Sequence, residues 1–258
     1  MLKKAAMVNT VIDMDEAELN KLIENNRKIS KLFAENEKIL RDIGYQPPVQ
    51  NYSTKNKDRI SIPSGYIRTS ATFWQEYHLN EIVNARNTKN NISYALQLSD
   101  FYNFLINRFN IWGSIEIMLY KQAFVNIVSI IEALILECAN NINAFCKKCS
   151  MQGKCGNNIG KYDRENMKKA VEKLRRIGII RITNEEQAEI LDLYDLRNKV
   201  HIRLNVQNEF LDNKYNNELY NKAIVILKKV DEQIWKNGVP RYSSCMGFVE
   251  KENPCQKN

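Results

Sequence analysis

The chain has 258 residues, 38 Lys and Arg against 30 Asp and Glu, and a formal net charge of +8 at pH 7. Its length suits one large domain or one domain with an appendage, and its few glycines and prolines (9 and 5), without sustained apolar–polar alternation, exclude an all-β architecture. The start lacks the apolar core of a signal peptide, and the most apolar stretch, residues 123–136, is too short and too polar to span a bilayer, so a soluble cytoplasmic protein with no membrane contact is expected.

Residues 13–43 predict one long amphipathic helix. Asp13, Asp15 and Glu16 offer a cap at its start, and Gly44 followed by Pro47 and Pro48 ends it. Ile12, Leu19, Asn26, Phe33 and Leu40 recur every seven residues, with Leu22, Ile29 and Ile43 in the complementary places. That is a short heptad seam with an Asn at one inner position, a device that sets register in coiled coils. It serves self-association, a partner helix, or packing on the protein's own domain.

Residues 46–58 are polar, carry two prolines and read as a linker. Residues 59–68, centred on Pro63-Ser64-Gly65, suit a small hairpin or an irregular arm. Residues 72–85 and 96–109 predict aromatic-rich helices, whose Phe73, Trp74, Tyr77, Phe101, Tyr102, Phe104 and Phe109, with Trp112, are expected in the core rather than as a platform for bases. His78 receives no role.

Residues 114–140 predict the dominant helix, apolar nearly all round and therefore central. Gln122, Asn126, Ser129 and Glu132 form a polar stripe along it. A buried helix carries such a stripe when its groups have partners, so Asn126 and Glu132 are expected either to line a groove or to face water.

Cys146, Cys149 and Cys155 follow with C-x2-C-x5-C spacing, and Cys138 lies one helix end away. Thiolates two residues apart reach one ion, so a structural zinc held by Cys138, Cys146, Cys149 and Cys155 is one expectation, and reduced thiols on a loop the other. A disulfide framework does not suit so large a chain without an export signal.

Residues 147–181 hold eleven Lys and Arg against Asp163, Glu165 and Glu172. A local basic block suits a phosphate-rich partner, nucleic acid first, or is a solvated face. Within it, residues 163–177 predict an amphipathic helix ended by Gly178. Its flank of Arg164, Lys168 and Arg175 could track an RNA backbone, adding affinity without sequence choice. Residues 217–236 predict the last helix, and an irregular tail is expected from 237.

Between these lies a helix opened by Thr183-Asn184-Glu185-Glu186, a capping box, and expected to run to about Leu204. At about 100° per residue, Ile190, Leu193, Tyr194, Leu196, Val200 and Leu204 share one arc, with Arg197 and His201 near its middle. A guanidinium in an apolar stripe must find a carboxylate, a solvated groove or a subunit interface.

The run Leu196-Arg197-Asn198-Lys199-Val200-His201 resembles the signature of HEPN domains (higher eukaryotes and prokaryotes nucleotide-binding), an Arg followed by a polar residue and then a His in the same helix. The family usually places four to six residues between Arg and His; here there are three. The helical frame from about 113 to 237 accords with the resemblance, which leaves the first hundred residues uncovered. It implies an all-α, HEPN-like antiparallel bundle at 96–240 with a Cys-containing basic insertion at 146–165; the N-terminal helix at 1–45, the accessory segment at 46–95 and the tail at 241–258 are read from the residues alone. It also implies a metal-independent endoribonuclease. Arg197 and His201 from two chains of a homodimer would meet at one cleft, with Asn198 steadying the motif and Asn126 and Glu132 orienting it. Such proteins often act as toxins or antiphage defence effectors, with an antitoxin or partner protein. Two further classes stay open: a non-catalytic HEPN-like RNA-binding protein, and a helical scaffold.

Overall fold

The computed structural model describes residues 15–44, 59–148, 167–199 and 214–238, and the side chains of all but 145–148 among them. The described residues form eight helices and no strands, an all-α architecture. They fall into two units, Met1–Ile62 and Pro63–Asn258.

The first unit is α1, Glu16–Asp42. Asp15 caps it: its carboxylate accepts the Glu18 amide at 2.7 Å, and Glu18 reaches back to the Asp15 amide at 3.3 Å. Lys28 pairs with Glu24 one turn away at 2.6 Å. None of its residues is buried.

The second unit is organised around α5, Ser114–Lys148. Its buried face includes Phe124, Ile127, Val128, Ile131, Leu134 and Ile135. Around it lie α3 (Leu79–Ile82), α4 (Arg86–Arg108), α6 (Met167–Arg176), α7 (Asn184–Asn198) and α8 (Asn217–Asn237), while α2 (Ser70–Glu76) packs on α3 and α4. By length and composition α5 could cross a membrane. The 14-residue stretch singled out in the sequence understated it, because helical flanks extend the apolar surface at both ends. Inside the bundle that surface meets four long helices, as a core helix requires.

The neighbours bury stripes at helical spacing. α6 turns Met167, Ala170, Val171 and Leu174 inward, and α8 turns Ala223, Leu227, Val230 and Ile234 inward. Gly178, with φ +76°, ends α6: its amide donates to Arg175 O at 2.9 Å and the Ile179 amide donates to Leu174 O at 2.9 Å. A side chain at that left-handed position would be strained, which explains the glycine.

Several boundaries differ from the sequence expectation. α4 begins at Arg86 rather than near 96. A polar run hides its first turns in the sequence, and Ile92, buried one turn before Leu96, keeps them helical. Residues 70–95 therefore join the main core, through Phe73, Leu79, Ile82, Val83 and Ile92. Trp112 is 78% exposed and Phe109 is also exposed, so these two aromatics leave the core assigned to them. No hairpin forms at the described residues 59–68. α7 ends at Asn198, short of Leu204, where the Lys199 amide donates to both Asp195 O and Leu196 O at 3.2 Å.

The predicted capping box of α7 is present. Thr183 Oγ1 accepts the Glu186 amide at 3.2 Å, and Glu186 Oε2 accepts the Thr183 amide at 3.0 Å. Glu186 also accepts from Lys229 on α8, and Lys222 meets Glu189 at 3.0 Å, so two ion pairs tie α7 to α8. The Lys229 ammonium, helped by the Thr183 amide, holds the Glu186 carboxyl below its ordinary value of 4.5. A carboxyl held low contributes stability that is complete well above 4.5 and is lost as pH falls through its folded value. Lys229→Met should therefore flatten the fall in thermal stability as pH drops below the ordinary carboxyl value of 4.5. Identical slopes for the variant and the wild type would show that the pair contributes nothing.

Candidate Arg197 site on the central helix

Arg197 lies in the last turn of α7, where that helix crosses α5. Two α5 residues three apart, and so on one side of the helix, receive its guanidinium. Nη2 lies 3.2 Å from Glu132 Oε2 and donates to Ser129 Oγ at 3.3 Å. Ser129 is itself aimed, since its hydroxyl donates to Val125 O at 2.8 Å. Nη1 donates to Asn198 Oδ1 at 3.0 Å. The Arg197 side chain keeps 30% of its surface exposed and Glu132 20%. The fork is thus oriented by an anion, a hydroxyl and an amide, on a side chain that stays partly exposed.

Of the predicted site residues, Arg197, Asn198 and Glu132 come together. Asn126 does not join them. Its Nδ2 donates to Ala95 O and Ser99 Oγ, each at 2.7 Å, so it links α5 to α4 instead. The polar stripe is wide enough that its two ends meet different helices. Lys168 and Arg175 both reach α7 from α6: Lys168 Nζ lies 3.1 Å from Asp195 Oδ2, and Arg175 Nη1 donates to Gln187 Oε1 at 2.8 Å. The Lys168 pair stays about half exposed. His201 and Arg164 lie outside the described residues, so the predicted sharing of one face by Arg197 and His201 does too.

Of the proposed zinc ligands, only Cys138 has a described side chain. It is buried in the core, and that burial, with Glu137 adding to it, pushes its thiol up to about 12. The side chains of Cys146, Cys149 and Cys155 lie outside the described residues. Among the described residues no group of three or more His, Cys, Asp or Glu is disposed to hold a metal.

Sequence reasoning passed over Ser129 as a partner of Arg197, although its place three residues before Glu132 was a usable signal. It also passed over a polar cluster where α2, α4 and α8 meet. There Arg68 binds Asp100, with Nη2 at 2.6 Å and Nε at 3.0 Å, and the Arg68 backbone amide donates to the same carboxylate at 2.9 Å. Arg68 also pairs with Glu76. Nearby, His78 Nδ1 lies 3.2 Å from Asp231 Oδ2, and its ring stacks on Trp235 at 3.9 Å between centroids. Burial pushes the Tyr77 hydroxyl up to about 12, against an opposing pull from Arg68. His78 is one of only two histidines, and Asp100 is a lone acid in a helix that faces the core. Those were the only signals.

Comparison with known protein families, with curated proteins and with solved structures finds no match for this chain.

Proposed function

We propose that the chain is a HEPN-type endoribonuclease that cleaves RNA without metal, using Arg197 and His201. The observation that supports this most directly is the guanidinium of Arg197, held by Glu132, Ser129 and Asn198 on a side chain that stays 30% exposed. A planar fork fixed in advance can donate paired hydrogen bonds to phosphate without reorganising when charge builds on phosphorus.

In the proposed reaction the ribose 2′-oxygen attacks the adjacent phosphorus and the bond to the 5′-oxygen breaks. The 2′-proton passes to a neutral imidazole, and an imidazolium gives a proton to the departing 5′-oxygen. Two copies of His201 in a cleft shared by a homodimer would fill both roles. The products carry 2′,3′-cyclic phosphate and 5′-hydroxyl ends. Lys168 and Arg175, exchanging Asp195 and Gln187 for phosphate, would hold the strand across α6 and α7. In this reading the protein works in the cytoplasm as a toxin or antiphage defence effector, restrained by an antitoxin or partner protein. Cys138, Cys146, Cys149 and Cys155 would be the ligands of a structural zinc that takes no part in the reaction.

One observation favours a second reading, a non-catalytic HEPN-like RNA-binding protein or helical scaffold. Glu132 already balances the charge on Arg197, as it would for a strut between α7 and α5. Single-stranded RNA incubated with the protein in EDTA separates the two. The first reading predicts cyclic-phosphate ends, and a loss of cleavage of at least about a hundredfold in His201→Ala with an unchanged circular dichroism spectrum. Intact RNA that is still bound in a salt-dependent manner would support the binding protein, and neither cleavage nor binding would leave the scaffold.

A further inference from the structure

The seam of α1 is symmetric about its own midpoint, a property that a seam packed on an unrelated surface has no reason to possess. Along Glu16–Asp42 and its capping residue Ile43, the inner positions alternate at spacings of three and four residues from Leu19 to Ile43. About residue 31 they mirror in kind: Leu19 with Ile43, Leu22 with Leu40, Asn26 with Asn36, and Ile29 with Phe33. Each apolar residue has an apolar counterpart at the same distance from the centre, and the two amides have each other.

We infer that α1 pairs with α1 of a second copy of this chain as an antiparallel two-helix coiled coil centred on residue 31. In that arrangement an inner residue of one helix faces its mirror counterpart on the other. Six of the eight layers are then apolar, and the other two set Asn26 against Asn36 of the second copy. Amides facing each other satisfy donor and acceptor reciprocally, which a buried polar layer requires. The seam from 19 to 43 is about 36 Å long at 1.5 Å per residue, and Ile29 and Phe33, at its middle, are exposed in the single chain.

Flanking positions distinguish this orientation from the parallel one. Antiparallel pairing sets Leu32, 59% exposed, beside its own copy across the two-fold axis. Parallel pairing sets the same leucine beside Glu37 and aligns the two helix dipoles unfavourably. No like charges meet at the flanks in the antiparallel form. The inference stands on α1 alone and does not rest on the RNA reading.

The test measures the mass of the full chain by light scattering and its dimer dissociation constant by sedimentation. Because α1 has no buried residues, substitutions on its seam leave the folding of the rest of the chain intact, which circular dichroism checks. The wild type is expected to be a dimer. N26K/N36D places lysine against aspartate when the helices run antiparallel, and should keep the dimer. N26K/N36K stacks lysine on lysine in either orientation, and should weaken the dimer by at least about tenfold. The inference is overturned by a monomeric wild type, by a dimer that survives both N26K/N36K and L22D, or by a dimer lost in N26K/N36D as fully as in N26K/N36K, the outcome for parallel pairing.

Discussion

Arg197→Ala is expected to lower RNA cleavage by roughly 10²–10³-fold, the loss typical of removing one preorganised donor from a developing oxyanion. The guanidinium contributes charge and geometry together. Arg197→Lys keeps the charge but not the planar fork, so it should recover only a small part of the rate. Arg197→Ala also costs stability, because Glu132, 20% exposed, loses its counter-charge. Arg197→Ala should lower the unfolding free energy by about 1–2 kcal/mol. The cleavage assay is therefore run well below the melting temperature of the variant. Glu132→Gln separates the two roles. It leaves the fork its hydrogen bonds but removes the competing anion, so RNA binding should tighten and become more salt-sensitive. Cleavage by Arg197→Ala within threefold of wild type, with the stability loss still present, would reduce this arginine to a strut between α7 and α5.

Asp100→Ala is expected to cost the most stability of any single polar substitution proposed for this protein. Asp100 is buried and accepts from Nε, Nη2 and the backbone amide of Arg68, 32 residues away in the chain. Removing it leaves a half-buried guanidinium with Glu76 as its remaining acid partner and orphans the Arg68 amide. Breaking a buried pair from one side typically costs about 3–5 kcal/mol. The Arg68 side chain keeps 27% of its surface exposed, which places the expectation near the lower end, about 3 kcal/mol, or roughly 6–12 °C in Tm for a chain of this size. Asp100→Asn keeps the acceptor and should cost less. A double change, Arg68→Met with Asp100→Leu, removes both charges and should recover much of the loss, as replacing a whole buried pair by apolar groups often does. A fall below about 1 kcal/mol in Asp100→Ala, read from urea unfolding, would mean that water already screens the pair.

Much of the helical framework was legible because its signals are local. A cap among Asp13, Asp15 and Glu16, the capping box at Thr183 and the stop at Gly178 each depend on residues within about one turn. The apolar density of α5 likewise marks it as central before any partner is known. Errors arose where local signals were weak or where a distant surface decided. The early turns of α4 are polar in sequence and helical because Ile92 is buried against the core. Trp112 looks like a core residue by type, yet follows α4 into a solvent-facing connection before α5.

The candidate site shows the same division. That Arg197 needed a partner follows from its place in the chain, because a guanidinium on a largely apolar helix cannot be left uncompensated. The sequence also supplied the polar stripe on α5 from which that partner came. It took the packing of the helices to bring Glu132 and Ser129 to Arg197 and to turn Asn126 to Ala95 and Ser99. The reason is geometric. Periodicity places a side chain at an angle about its own helix axis, but which neighbour stands at that angle depends on how α4, α7 and α8 pack around α5. That packing is set by the interlocking of buried side chains far apart in the chain, a sum over many contacts that no single stretch of sequence contains.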